Sequence, residues 1–544
     1  MRKFYLPLVI LFMLTACNQT PKTVIEPWVP YDQSQEIEDN QTHELIRMRY
    51  KLIQSRVADK NELWKVVQPQ ISNFPEEEYE RLKPLILGQD IPTLQSHIRI
   101  GDLTYEKLTQ WYLYRIVKYE NDKGKMLNAI IAINPNAVKE ARAKDKASGS
   151  HPIYGMPILV KDNIGVAGMP TTAGAHVLQN NITEDAAIIT NIKAHGGIIL
   201  GKTNLTEWAN YIFDIGPNGY SAVGGQTLNA YGRKIYDTGG SSSGSGVAMA
   251  ASYAAATLGT ETSGSILSPS GRSSLAGLKP TVGLLDRSGI IPLASTLDTP
   301  GPITGCVVDN AIVMAAMTDD ARYLEIIPQA DRTAAEAEQL PLEGLRFGVN
   351  KSMLGNPLYK AQAEILTALG GVTVVFDPVS VSMQGFGTLL SGDMKKDLAN
   401  YLMEYASENI TVRSIADIVE HNNREPEVRV PYGQETFERM AVLELTEEEL
   451  NEVRTKIQSE GRRYFETPMD QYQLDIILSI DNLEASYAAA ANFPCMIVPM
   501  GYTEKNGPTG LTFVARPFEE LKLLKIGYAF EQATRVRQLP AAYR

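Results

Sequence analysis

The chain is poor in the residues on which many hydrolases rely. Its six histidines are scattered; no H-E-x-x-H and no paired cysteine spacing occurs, so no metal site is expected. Only three cysteines are present, too few for a disulfide framework. Whether Cys306 and Cys495 pair is not readable from their spacing. Basic charge is also scarce: 51 Lys and Arg stand against 63 Asp and Glu, a net charge of −12. A nucleic-acid partner, which requires a basic face, is therefore not expected.

Long apolar runs are missing too. The longest, Phe4 to Leu14, is too short to span a bilayer, but it follows Arg2 and Lys3 and precedes Leu14-Thr15-Ala16-Cys17. That order resembles a bacterial lipoprotein signal. Residues 1–16 are expected to be removed, with Cys17 as the lipidated first residue, holding the protein to a membrane of the cell envelope on its periplasmic or extracytoplasmic face. Residues 17–42 are polar and read as a tether. Residues 43–90 show helical patterns in ELIRMRYKLIQSRV, NELWKVVQPQI and EEEYERLKPLIL, with Pro75 at a helix start and Pro84 as an interruption. This helical preface packs on the body or presents a partner surface. The main domain is expected over 91–544, with a charged, helical, substrate-shaping region at about 340–480.

What the chain has in abundance is glycine and serine in one place. Thr238 to Pro269 reads TGGSSSGSGVAMAASYAAATLGTETSGSILSP, two hydroxyl-bearing turns around a small-residue segment that suits a buried helix plus strand. Glycine lets successive N–H groups converge on one point, as an anion or a developing oxyanion requires. Three other readings compete. A flexible linker is disfavoured by the apolar flank. A phosphate loop needs lysine where Ser245 stands. A nucleophile elbow centred on Ser242 needs a preceding strand and a histidine, and the only later one, His421, lies in a polar segment. His195-Gly196-Gly197 reads as a helix C-terminus, not an oxyanion motif.

Upstream, HPIYGMPILVKDNI gives a short strand, Ile158 to Val160, ending on Lys161. DAAIITNIKAHGGIILGKTNL reads as helix, turn and strand, and the whole chain alternates helix and strand as an α/β protein does.

These blocks together resemble the amidase signature family. The likeness runs from about Ile91 to the C-terminus and is carried by YGMPILVKDNI, GKTNLTEWAN, YSAVGGQTLNAYGRKIYDTGGSSSGSG, LGTETSGSILSPS, LAGLKPTVGLL, FPCMIVPMGY and YAFEQATRVRQLP. SSSGSG, GTETSGSI and KKDLANYL look most like the bacterial peptide-amidase branch. The resemblance implies an α/β/α fold around a large mixed, mostly parallel sheet, and a Ser-Ser-Lys site without metal or cofactor. Lys161 falls on the family's lysine, Ser241 on the serine joined to the preceding glycine by a cis peptide, and Ser265 on the acylated serine. The main-chain N–H groups of Thr262, Ser263, Gly264 and Ser265 would form the oxyanion hole. Ser263 stands where relatives carry an acid or glycine, and Leu267 where others carry arginine, differences that bear on selectivity.

The chemistry is coherent on those residues. A serine hydroxyl attacks an amide only as a base takes its proton. Lysine serves only when neutral, and lowering its pKa from about 10.4 toward 7 disfavours the ammonium by roughly 4 to 5 kcal/mol, a desolvation effect. Asp162 would undo this if it faced Lys161; strand alternation turns it away. The expected activity is hydrolysis of a carboxamide, peptide-like or other, through an ester on Ser265. The alternatives are a non-catalytic binding lipoprotein on the same fold and, within the fold, the glutamine-amidase subunit of a transamidation complex.

Overall fold

Among the described residues, eleven strands form one sheet, and the helices packed against it bury the apolar segments between them. In the computed structural model, which describes residues 22–327 and 342–544, the first strands are β1 (Ile130–Ile133), β2 (Pro157–Lys161) and β3 (Ile198–Thr203). After a short hairpin, β4 (Tyr220–Ser221) with β5 (Gly225–Gln226), come β6 (Ala256–Glu261), β7 (Ala276–Lys279) and β8 (Thr299–Thr304). The second half adds β9 (Arg346–Asn350), β10 (Val372–Phe376), β11 (Ile476–Ile480), β12 (Cys495–Tyr502) and β13 (Pro508–Val514). The main sheet has the order β1-β3-β2-β6-β8-β7-β12-β13-β11-β9-β10. Its inner strands are buried on both faces, which is why they read as continuous apolar runs without alternation.

The α/β class is as expected, but the sheet is not mostly parallel. Only the β3–β2–β6 and β11–β9–β10 ladders are parallel; the neighbours between them and at β1 are antiparallel. For β12 and β13 the reason is connection length: residues 503–507 are too few for a parallel crossover and permit only a hairpin.

The sequence segments at the N-terminus depart furthest from expectation. The signal segment 1–16, Cys17 and the first residues of the tether lie outside the described residues. From Thr23 onward the supposed tether lies against the body: Thr23 N–H donates to the Ser72 carbonyl at 2.9 Å, and Trp28 is buried. Within ELIRMRYKLIQSRV only a short 3-10 turn forms, Ile46–Met48. The buried residues of this stretch are Met48, Tyr50, Leu52 and Ile53; the first three recur at every second position, the period of an extended chain. The other two helices are present at Lys60–Ile71 and Glu76–Ile86. Pro75 caps the second, and Pro84 sits in its last turn, where the lost hydrogen bond does not break it. Both helices pack on the Tyr105–Glu120 helix, with Tyr79 stacked on Trp111 at 5.1 Å, so their apolar faces join the main core.

The region at about 340–480 divides in two. β9 and β10, from the stretches LRFGVN and VTVVFD, pair in parallel and extend the sheet. The helices Phe386–Glu404, Ile415–Asn422 and Glu435–Ala441 form a second apolar cluster with Trp208 and Leu293, over the end of the sheet where β2 and β6 finish.

Candidate active site

Lysine 161 is the last residue of β2, and the parallel register Val160↔Leu258 sets it level with the end of β6. Its side chain is fully buried. Nζ lies 2.8 Å from Ser241 Oγ, 2.8 Å from Thr260 Oγ1 and 3.2 Å from the Thr260 carbonyl. Burial lowers its pKa to about 7, opposed by the charges of Asp298 and Glu261. A neutral amine has two N–H groups and one lone pair. The two Thr260 oxygens can take both N–H groups of the neutral amine, which leaves its lone pair for the Ser241 hydroxyl. The same shell accepts three donors when the amine is protonated, so both charge states are hydrogen-bonded.

Asp162 turns the other way. It meets Lys202 at 3.3 Å and accepts from the Thr172 hydroxyl and N–H. Alternation along the strand separates the two chemistries.

Ser241 follows a cis peptide bond with Gly240, and its carbonyl accepts from Thr206 N–H at 3.0 Å. The other serines of this turn are fastened elsewhere. Ser242 donates to the Thr260 carbonyl at 3.1 Å, Ser243 to Gly239 at 2.6 Å and Ser245 to Leu258 at 2.8 Å. They staple the Ser243–Ala250 helix and its approach to β6. The elbow reading therefore fails: Ser242 is buried and committed, and His421 is paired with His176 at 2.9 Å. His195 ends a helix with Gly196 at φ +89° and meets Asp319, as its sequence implied. Cys306 and Cys495 are both free thiols.

The second turn runs from Glu261 to the Leu267–Arg272 helix. The Ser265 carbonyl accepts from Ser242 N–H at 3.2 Å, which draws the two serine turns together. Gly264 has φ +91°, and a Cβ there would come within 2.9 Å of Asn482, so glycine is required on both counts. Glu261, buried beneath the turn, accepts from Ile266 N–H at 2.7 Å and Leu267 N–H at 2.9 Å. Burial raises the Glu261 carboxyl above its ordinary value, opposed by the charge of Lys279 and by the N–H groups of Leu267, Ile266 and Gly264. The Thr262 hydroxyl donates to Asp298 at 2.5 Å, and the Ser263 hydroxyl pairs with Ser486 at 3.0 Å. Asp298 is itself buried and raised to about 6 by desolvation. A cavity of about 490 Å³ reaches this end of the sheet, lined by Asn163, Thr260, Thr262, Leu293, Asp298 and Tyr401 among others.

Sequence reasoning did not single out Thr260, Asn163, Glu261 or Asp298. Asn163 donates to Thr260 Oγ1 at 3.1 Å, orienting the group that holds Lys161. A signal for Thr260 was present: in G-T-E-T on a strand, Thr260 and Glu261 point to opposite sides, so only one of them can face the lysine.

A family model described as amidase matches residues 107–524. The chain belongs to the amidase family. An amidase family protein from Bacillus anthracis has a similar structure, with a TM-score of 0.82 at 33% identity over 90% of this chain and 99% of its own. The native peptide amidase of Stenotrophomonas maltophilia gives a TM-score of 0.75 at 33% identity, covering 83% of this chain and 98% of its own. A probable amidase of Arabidopsis thaliana is 32% identical over 463 residues, 80% of this chain and 88% of that protein. This amidase hydrolyses amide C–N bonds, and nothing found among these relatives favours a non-catalytic binding protein.

Proposed function

We propose that this amidase works through an acyl-enzyme on Ser265, with Ser241 as proton relay and Lys161 as base. The observation that carries the reading is the buried Lys161 amine, lowered to about 7 and 2.8 Å from the Ser241 hydroxyl. As Ser265 Oγ bonds to the carbonyl carbon, its proton passes to Ser241 and the Ser241 proton to Lys161. The oxyanion faces main-chain N–H groups of the 262–265 turn. Collapse breaks the C–N bond, and the proton returns through Ser241 to the leaving nitrogen, releasing ammonia or an amine. Water repeats the sequence on the ester and frees the carboxylate and Ser265. A fluorophosphonate probe should label the wild type and not Ser265→Ala; equal labelling of both removes the nucleophile assignment.

A peptide-like amide is the favoured substrate, supported by the likeness to the Stenotrophomonas maltophilia peptide amidase. Ammonia release from C-terminally amidated peptides, set against fatty and aryl amides, tests it. The protein is lipid-anchored at Cys17 in a bacterial envelope, a reading supported by Arg2, Lys3, the apolar run Phe4 to Leu14 and the residues before Cys17. With Thr23 fixed on the body, six residues of chain reach at most roughly 20 Å, so the anchored enzyme sits close to the bilayer. Cys17→Ala should move the protein from the membrane to the soluble fraction, and retention there contradicts the anchor.

A further inference from the structure

The segment 43–55 lies outside the matched family region, 107–524, and no helix forms in it apart from one short turn. Its contacts are nonetheless specific, and they converge on the turn that carries Ser241. Arg47 Nε lies 2.7 Å from Asp237 Oδ2. Asp237, which is 8% exposed, accepts Gly239 N–H at 2.9 Å on its other oxygen. Asn218 Nδ2 donates to both Asp237 oxygens, at 3.0 and 3.1 Å. The Asn218 side chain in turn packs on Gly240: a Cβ at Gly240 would come within 2.9 Å of Asn218 Oδ1 and 2.7 Å of Thr206 Oγ1. The path from Arg47 to Gly240 is thus continuous and polar, and Gly240 precedes Ser241.

A second strand of contacts holds the same block from below. Ile53 is fully buried, and its carbonyl accepts from Gln226 N–H at 2.9 Å and Asn128 Nδ2 at 3.0 Å. Gln226 Nε2 donates to the Asn218 carbonyl at 2.7 Å. The segment therefore grips the 218–240 block at two points, and Asn218 is common to both.

We propose that the 43–55 segment is a working part of the active site and that Arg47 is a positioning residue. Its guanidinium fixes Asp237, and Asp237 with Asn218 fixes the Gly239–Gly240 turn that sets the Ser241 hydroxyl against Lys161. The proposal rests on Ser241 being the relay. Arg47 is 47% exposed at its side chain, so its pair adds little to global stability; its contribution is to geometry, where a displacement of about 1 Å costs on the order of a hundredfold in rate.

The test is a set of full-length variants assayed for kcat, KM, thermal midpoint and fluorophosphonate labelling rate. Arg47→Ala should lower kcat and the labelling rate by about tenfold, a partial displacement on that scale, with KM and thermal midpoint unchanged. Arg47→Lys should recover part of the loss. Glu62→Gln, outside the segment and paired with Lys65 at the surface, should behave as wild type. In a Ser241→Ala background Arg47→Ala should cost nothing further, because both act through one hydroxyl. Wild-type kcat in Arg47→Ala overturns the proposal, as does a loss that persists undiminished in the Ser241→Ala background or one that tracks a fallen thermal midpoint. Wild-type turnover by Ser241→Ala alone would instead sink the relay itself, whatever Arg47 does.

Discussion

Two buried lysines stand on neighbouring parallel strands, Lys161 on β2 and Lys202 on β3, with Val160 opposite Lys202 and Lys161 opposite Thr203. Both are fully buried, and burial pulls both pKa values down. Their partners differ. Lys202 meets the Asp162 carboxylate at 3.3 Å, together with the carbonyls of Ile164 and Pro170. Lys161 meets two hydroxyls and a carbonyl. Desolvation alone does not make a base; desolvation without a contacting carboxylate does. One strand bearing Lys161-Asp162 accomplishes this by pointing consecutive side chains to opposite faces.

The comparison breaks most visibly at Lys161. Lys161→Met should lower kcat/KM by about four orders of magnitude or more, since members of a catalytic unit are lost together. The fold should persist by circular dichroism, because the variant removes a buried amine and leaves no opposite charge in contact. It should also alter the pH dependence of stability. With a folded pKa of about 7 against an ordinary value of 10.5, the unfolded lysine holds a proton that the native one lacks between those limits. This group's contribution to stability therefore rises with pH across that window. Urea midpoints of wild type and Lys161→Met should converge as pH climbs through it.

At Lys202 the large effect falls on stability instead. Asp162→Asn strands a buried ammonium and should cost about 3 to 5 kcal/mol in urea unfolding. Activity should track the folded fraction, with no change in the pH profile of what remains.

Thr260→Val sharpens the comparison more gently. It removes an oxygen that stabilises the protonated amine, so the pH midpoint of activity should move down. Turnover at the plateau should fall about tenfold or more, as Lys161 and Asn163 both lose a partner and the amine's aim loosens. The smallest effect is at His421, where alanine should leave turnover at the wild-type value; inactivation there would reopen the elbow reading at Ser242.

Much of this could be read from residue order because function and fold share short segments. The strand ending at Lys161, the glycine at 264 and the opposite facing of Asp162 follow from local periodicity. What could not be read depends on register between distant segments. Thr260 meets Lys161 only because β2 and β6 pair in parallel at Val160↔Leu258. Asp298 reaches Thr262 across the β6–β8 pairing, Glu261↔Thr299. The extended run through Met48, Tyr50 and Leu52 reads as helix in the sequence because apolar residues over so short a window satisfy both periods. The sheet's antiparallel centre includes β8, whose sequence TPGPIT carries prolines and a glycine in place of a β-branched run.

The central claim is that an uncharged, buried Lys161 drives acylation. The direct measurement is the pH dependence of kcat/KM for ammonia release from an amide without titrating groups. With Lys161 at about 7, the profile should rise with unit slope below that pH, level off above it, and lose the inflection in Lys161→Met. A wild-type midpoint near 10, or the same inflection retained in Lys161→Met, would contradict the account.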